Sequence, residues 1–203
     1  MSLLQTYQDE LLEAGCDEAG RGCIAGPVVA ASVILPSDFF LEDLNDSKQL
    51  SEKKRLALRE IIEREALAWS VFFVDHEEVD KMNVLNASIH AMKEAACNLK
   101  IKPELLLIDG NRFKQGDIPH VCIIKGDGKY MSIAAASVLA KTHRDAFMLK
   151  MSLVYPNYKW EKNKGYPTKD HCAGIEKYGY SPLHRKSFHV KSLYQSKLEL
   201  LID

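Results

Sequence analysis

Apolar positions along this chain fall into short strand-like runs separated by helical stripes. Residues 12 to 17 lead into a glycine turn, and Val28 to Leu35 form a small, β-branched apolar run. The two segments predict neighbouring strands of a hairpin. Pro36-Ser37-Asp38 breaks the second. From Ser51-Glu52-Lys53-Lys54 to about Glu65 the spacing turns helical, with Ser51 as N-cap. Ala68 to Val74 reads as another strand and Asn86 to Leu99 as another helix. Leu105 to Ile108 is a short buried strand that stops at Asp109-Gly110-Asn111. Val121 to Ile124 matches it and stops at Lys125-Gly126-Asp127-Gly128. Met131 to Met151 predicts a long helix whose opening Ser132-Ile133-Ala134-Ala135-Ala136-Ser137 is small enough to pack close to a sheet. A last amphipathic helix is expected over about Val190 to Leu201. An antiparallel strand group followed by alternating helix and strand predicts a mixed α/β sheet with helices on both faces, plus a helical C-terminal piece.

Composition adds bounds. A chain of 203 residues, 46% hydrophobic and 27% charged, can bury a sizeable core in one domain with a small appendage. No apolar run is long enough to span a bilayer. The first residues, Met1-Ser2-Leu3-Leu4-Gln5, carry no secretion signal. Five scattered cysteines without a C-x-x-C pair predict reduced thiols in a cytoplasmic protein. Net charge is -1, but residues 151 to 203 hold nine Lys/Arg against five Asp/Glu, and the remainder 18 against 23. An acidic body and a basic C-terminal part suit metals in one and a polyanion against the other, or reflect only solvated faces.

The candidate chemistry sits at strand ends. Asp17 and Glu18 follow the first strand, Asp109 the fourth and Asp127 the fifth. Asp-Gly is also an ordinary turn signal. Taken as a set after apolar strands, these acids predict a site for hard divalent cations, because converging carboxylates repel one another. Two such ions can activate water and stabilise the leaving oxygen of a phosphodiester. Gly20-Arg21-Gly22 fits a dinucleotide-binding glycine pattern only superficially, since Pro27 and a β-branched run follow where a helix is required. The turn better suits close approach to a sugar, with Arg21 pairing a phosphate. Ser47 and Lys48 could hold a phosphate or only cap and solvate. Tyr166, in a rigid turn between Lys164 and Lys169, could stack on a base or sugar, or pack on its own loop. His184-Arg185-Lys186-Ser187 is a basic cluster that touches a phosphate backbone or is solvated. Arg144 and Asp145 read as a local structural pair. His171 and Cys172 lack zinc-type spacing, and Ser137 lacks a triad. A binding module without catalysis is disfavoured, since clustered negative charge gives a mere binder nothing near a polyanion.

The ordered set Asp17-Glu18-Ala19-Gly20-Arg21-Gly22, Asp46-Ser47-Lys48, Ile108-Asp109-Gly110, Lys125-Gly126-Asp127, Ser132 to Lys141 with Arg144-Asp145, Gly165-Tyr166-Pro167-Thr168 and His184 to Phe188 resembles ribonuclease HII across nearly the whole chain. Ribonuclease HIII typically carries Ser and Lys where this chain has Ala19 and Arg21. Cys16 replaces the usual Val or Ile. The resemblance implies a ribonuclease H-like domain over residues 1–152 and a helical extension over 153–203 packed on it. It implies endonucleolytic cleavage of RNA in RNA–DNA hybrids and of single ribonucleotides in duplex DNA, using Mg²⁺ or Mn²⁺. By motif match, Asp17, Glu18, Asp109 and Asp127 are the metal-binding catalytic carboxylates. Gly20, Arg21 and Gly22 read the 2′-hydroxyl, and Tyr166 senses the ribose-to-deoxyribose junction, with Ser47, Lys48 and Arg185 as further substrate contacts. Gln195, Leu198 and Leu201 suggest a sliding-clamp-binding peptide or the buried face of the last helix. A monomer is expected.

Overall fold

The computed structural model describes residues 3–44, 47, 50–114 and 116–188. Lys48, Asp46 and the expected C-terminal helix with Gln195, Leu198 and Leu201 lie outside the described residues. Five strands form one mixed sheet in the order β3-β2-β1-β4-β5. These are β1 (Glu13–Ala19), β2 (Val28–Ile34), β3 (Ala68–Val74), β4 (Leu105–Asp109) and β5 (His120–Ile123). β1, β2 and β3 pair antiparallel, whereas β1, β4 and β5 run parallel. Every residue of β2 is buried, as a central strand covered on both faces requires.

Helix α1 (Glu52–Glu65) starts at Ser51, whose hydroxyl accepts from the Lys54 N–H. A short α2 (His76–Met82) and then α3 (Val84–Cys97) follow β3. The helix α4 spans Met131–Val154. One face of the sheet buries Val28, Ala30 and Ile108 against Ala87, Ala91 and Met92 of α3. The other buries Ala31 and Val33 against α1 and the alanine-rich start of α4. The mixed α/β sheet with helices on both faces is therefore present.

α4 approaches β1 backbone to backbone. A Cβ on Gly15 would stand 2.1 Å from the carbonyl carbon of Ser132. After α4 come α5 (Trp160–Asn163) and α6 (Lys169–Tyr178). They share a third apolar cluster, with Trp160 and Cys172 packed against Ile24, Ala25 and Met148. The expected division at 152/153 falls within the last turn of α4.

Candidate active site

Strand register sets the first two acids side by side. Cys16 pairs with Ile108 across the parallel β1–β4 ladder. Asp17 and Asp109 each lie one residue further on, so both point the same way at the same height. Asp109 in turn pairs with Ile123 of β5. The chain then turns sharply at Lys125, which takes positive φ, into a single 3-10 turn over Gly126–Gly128. The Gly126 N–H donates to Asp109 Oδ1 at 2.7 Å, which brings Asp127 beside the other two. A carboxylate oxygen from each of Asp17, Asp109 and Asp127 lies within 4.8 Å of the others.

Asp17 and Asp127 are almost fully buried. Burial pushes the Asp17 carboxyl well above the ordinary carboxylate range, and the negative charges of Glu18 and Asp109 push it the same way. A hydrogen bond from Ser137 and one from the Glu18 N–H at 2.7 Å oppose that shift without cancelling it. The cluster is thus three like charges in a poorly hydrated pocket, an arrangement relieved by protons or by cations. Glu18 stands outside the three-oxygen cluster. Its Oε1 pairs with Arg21 Nη1 at 3.2 Å, and it lines the same cleft.

That cleft measures about 380 Å³. Asp17, Glu18 and Asp109 lie in it with the Gly20–Gly22 turn, Ser47 and Tyr166. Gly20 has φ of +98°, and a Cβ there would strike Arg144 Nε at 2.2 Å. Glycine is required at that position. A Cβ on Gly22 would meet only Tyr166, at 3.7 Å, so its absence leaves room for a ligand. Tyr166 is 41% exposed, and the Lys141 ammonium sits 5.7 Å from its ring centre.

Two residues at the cleft carried no predicted role of their own. Ser137 bonds Asp17 and also the Ser47 hydroxyl, at 2.8 Å. Lys141 is one helical turn further along α4. Their i, i+4 spacing signals a shared face, but which face meets the strand ends depends on how α4 crosses β1. The expected Arg144–Asp145 pair does not form. Arg144 donates to the carbonyls of Pro27, Lys164 and Ala25, while Asp145 pairs with Lys141 at 2.7 Å. Arg185 is not aimed at the cleft either. It is 1% exposed and donates to the carbonyls of Gly26 and Gly20, which corrects the expectation for Arg185, while Lys186 and Ser187 of the same cluster are exposed. His184 of the same cluster is buried as well.

Known proteins share this architecture. A family model described as Ribonuclease HII matches residues 14–193. A ribonuclease HII of Bacteroides fragilis is 61% identical over 199 residues, covering 98% of each chain. The crystal structure of the ribonuclease H2 from Pyrococcus horikoshii superposes with a TM-score of 0.75 at 24% identity, over 94% of this chain and 99% of that one. The structure of the PCNA:RNase HII complex from Archaeoglobus fulgidus gives 0.71 at 25% identity, over 89% and 96%. Sequence and fold agree: this chain belongs to the ribonuclease HII family, with a ribonuclease H-like fold and endoribonuclease activity on RNA–DNA.

Proposed function

We propose that Asp17, Glu18, Asp109 and Asp127 are the catalytic carboxylates and that the aspartates hold divalent cations, Mg²⁺ or Mn²⁺. The donor set fits such ions: it is all oxygen, three carboxylates within 4.8 Å of one another, as hard cations prefer. Bound ions would supply Lewis-acid stabilisation of the phosphate charge and a more acidic water. This convergence of three strand ends beside a glycine-lined cleft is the observation that carries the reading.

The chain's own residues do the rest. The Gly126 N–H fixes Asp109, and Ser137 orients Asp17. Backbone groups of Gly20, Arg21 and Gly22 meet the ribose 2′-hydroxyl, which both donates and accepts a hydrogen bond. Tyr166 packs on the sugar at the ribose-to-deoxyribose junction, and Arg21, Lys141, Ser47 and Lys48 serve neighbouring phosphates. Water attacks the phosphorus on the 5′ side of the ribonucleotide. A new P–O bond forms and the P–O3′ bond breaks, leaving a 3′-hydroxyl and a 5′-phosphate. The 2′-hydroxyl is not the nucleophile, so no cyclic phosphate arises.

The test is a duplex with one embedded ribonucleotide. It is nicked in Mg²⁺ or Mn²⁺, left intact in chelator, and end-group analysis finds the two termini named above. Asp109→Asn lowers the rate at least about a hundredfold. Full activity of that variant at saturating metal overturns the site. Five free cysteines support a reducing compartment, and we assign the enzyme to the cytoplasm as a monomer. Among the described residues no helix is long and apolar enough to cross a membrane. The Archaeoglobus fulgidus complex with PCNA supports a sliding clamp as a further partner.

A further inference from the structure

The segment from Ser181 to Phe188 runs behind the glycine turn, and catalysis as described leaves it without a role. The Gly26 N–H donates to Leu183 O at 2.9 Å and the Arg185 N–H to Ile24 O at 2.9 Å. These bonds fasten residues 183–185 to residues 24–26. The Arg185 side chain then reaches inward. Nε donates to Gly26 O at 2.9 Å, and Nη1 to Gly20 O at 2.8 Å and Arg21 O at 3.4 Å. Arg144 holds the far limb of the same loop through Pro27 O and Ala25 O. Among the described residues neither buried guanidinium forms an ion pair with a carboxylate.

This arrangement has a stereochemical consequence. A trans peptide carries its C=O and the next N–H on opposite sides, and no peptide bond here is cis. Carbonyls of Gly20 and Arg21 drawn onto Arg185 turn the N–H groups of Arg21 and Gly22 the other way, on a turn that lines the cleft. Among the described residues neither N–H has a hydrogen-bond acceptor. A guanidinium fork can span two carbonyls, whereas one ammonium cannot hold the same pair in plane. The anchor is itself braced. Asp80 on α2 accepts from Lys186 N–H at 2.7 Å, from Ser187 N–H at 3.1 Å and from the Ser187 hydroxyl.

We propose that Arg185 is a positioning residue for ribose recognition, setting the Gly20–Gly22 turn so that the N–H groups of Arg21 and Gly22 face the 2′-hydroxyl. It acts through the turn and touches no substrate. The proposal rests on the assignment of that turn to ribose recognition.

The experiment uses Mg²⁺-loaded enzyme. KM and kcat are measured on a duplex with one ribonucleotide, and Ki on the same duplex in all-deoxy form as competitor. In Arg185→Lys, KM rises about tenfold, the worth of roughly one hydrogen bond, while kcat and Ki stay within about twofold. A folded variant with unchanged KM overturns the proposal. So does a parallel rise in KM and Ki, which marks a direct phosphate contact. If Arg185→Lys does not fold, Asp80→Asn is read the same way. There KM rises about threefold at constant Ki, and an unchanged KM overturns the proposal. Wild-type enzyme with equal KM and Ki would sink the ribose-reading turn itself, a separate failure from that of Arg185.

Discussion

Gly15 shows what one side chain decides. It lies one position before Cys16, deep in β1, where α4 has no room for a methyl group. Gly15→Ala forces β1 and α4 apart, since the obstacle is backbone and cannot rotate away. We expect a loss of about 3 kcal/mol, roughly 6–12 °C in the melting midpoint, read by thermal denaturation. The glycine looked like any other in the sequence, because the atom that excludes a side chain belongs to residue 132. The same non-locality hid Arg144 and Arg185. A sequence shows an arginine's charge but not whether carbonyls will replace its water. The aspartates were legible for the opposite reason. Asp109 ends β4, Asp127 follows β5 and Asp17 stands two residues before the end of β1, and strand ends in an α/β sheet converge by construction.

Among elements, strands β1 to β5 and helices α1, α3 and α4 were readable from periodicity, and Ser51 marked the start of α1. α2 was not read. Its seven residues give two turns with only Val79 buried, too few for a stripe to declare itself. The link between α6 and the following loop carries the clearest pH response. His171 Nδ1 lies 2.9 Å from Tyr166 O, so it carries a proton and donates. Its Nε2 then accepts from Trp160 Nε1 and from His184 Nε2, both at 3.0 Å. His184 Nδ1 accepts from the Ser181 N–H at 2.8 Å. Both imidazoles are therefore neutral, and burial with the neighbouring His171 pushes His184 down to about 4. The unfolded chain takes up protons near pH 6.5, well above that value. Stability from this pair is complete above about pH 6.5 and is lost as pH falls towards about 4. Asp17, shifted upward, acts in the opposite direction, so the check is a comparison. Between pH 7.5 and pH 5, wild type should lose about 2 kcal/mol more than His184→Gln, roughly 4–8 °C in melting midpoint.

At the scale of the molecule, the fold concentrates negative charge at one end of a parallel strand trio. A cation that binds there relieves repulsion present only in the native state. Ligand linkage then predicts that Mn²⁺ or Mg²⁺ at about ten times its dissociation constant adds about 1.4 kcal/mol, roughly 3–6 °C in melting midpoint. Chelator should remove the gain, and Asp109→Asn should show little of it. An equal rise in that variant would mean the ions act elsewhere.

The order in which the chain supplies those acids has a bearing on synthesis. Asp17 and Glu18 leave the ribosome early, Asp109 and Asp127 much later, and α4, which supplies Ser137, later still. The strand that seats the second acid must slot in beside the first from a distance along the chain. A half-made polypeptide therefore holds only the early part of the acidic cluster, and a product released before β5 would lack Asp127 and the strand that pairs with β4.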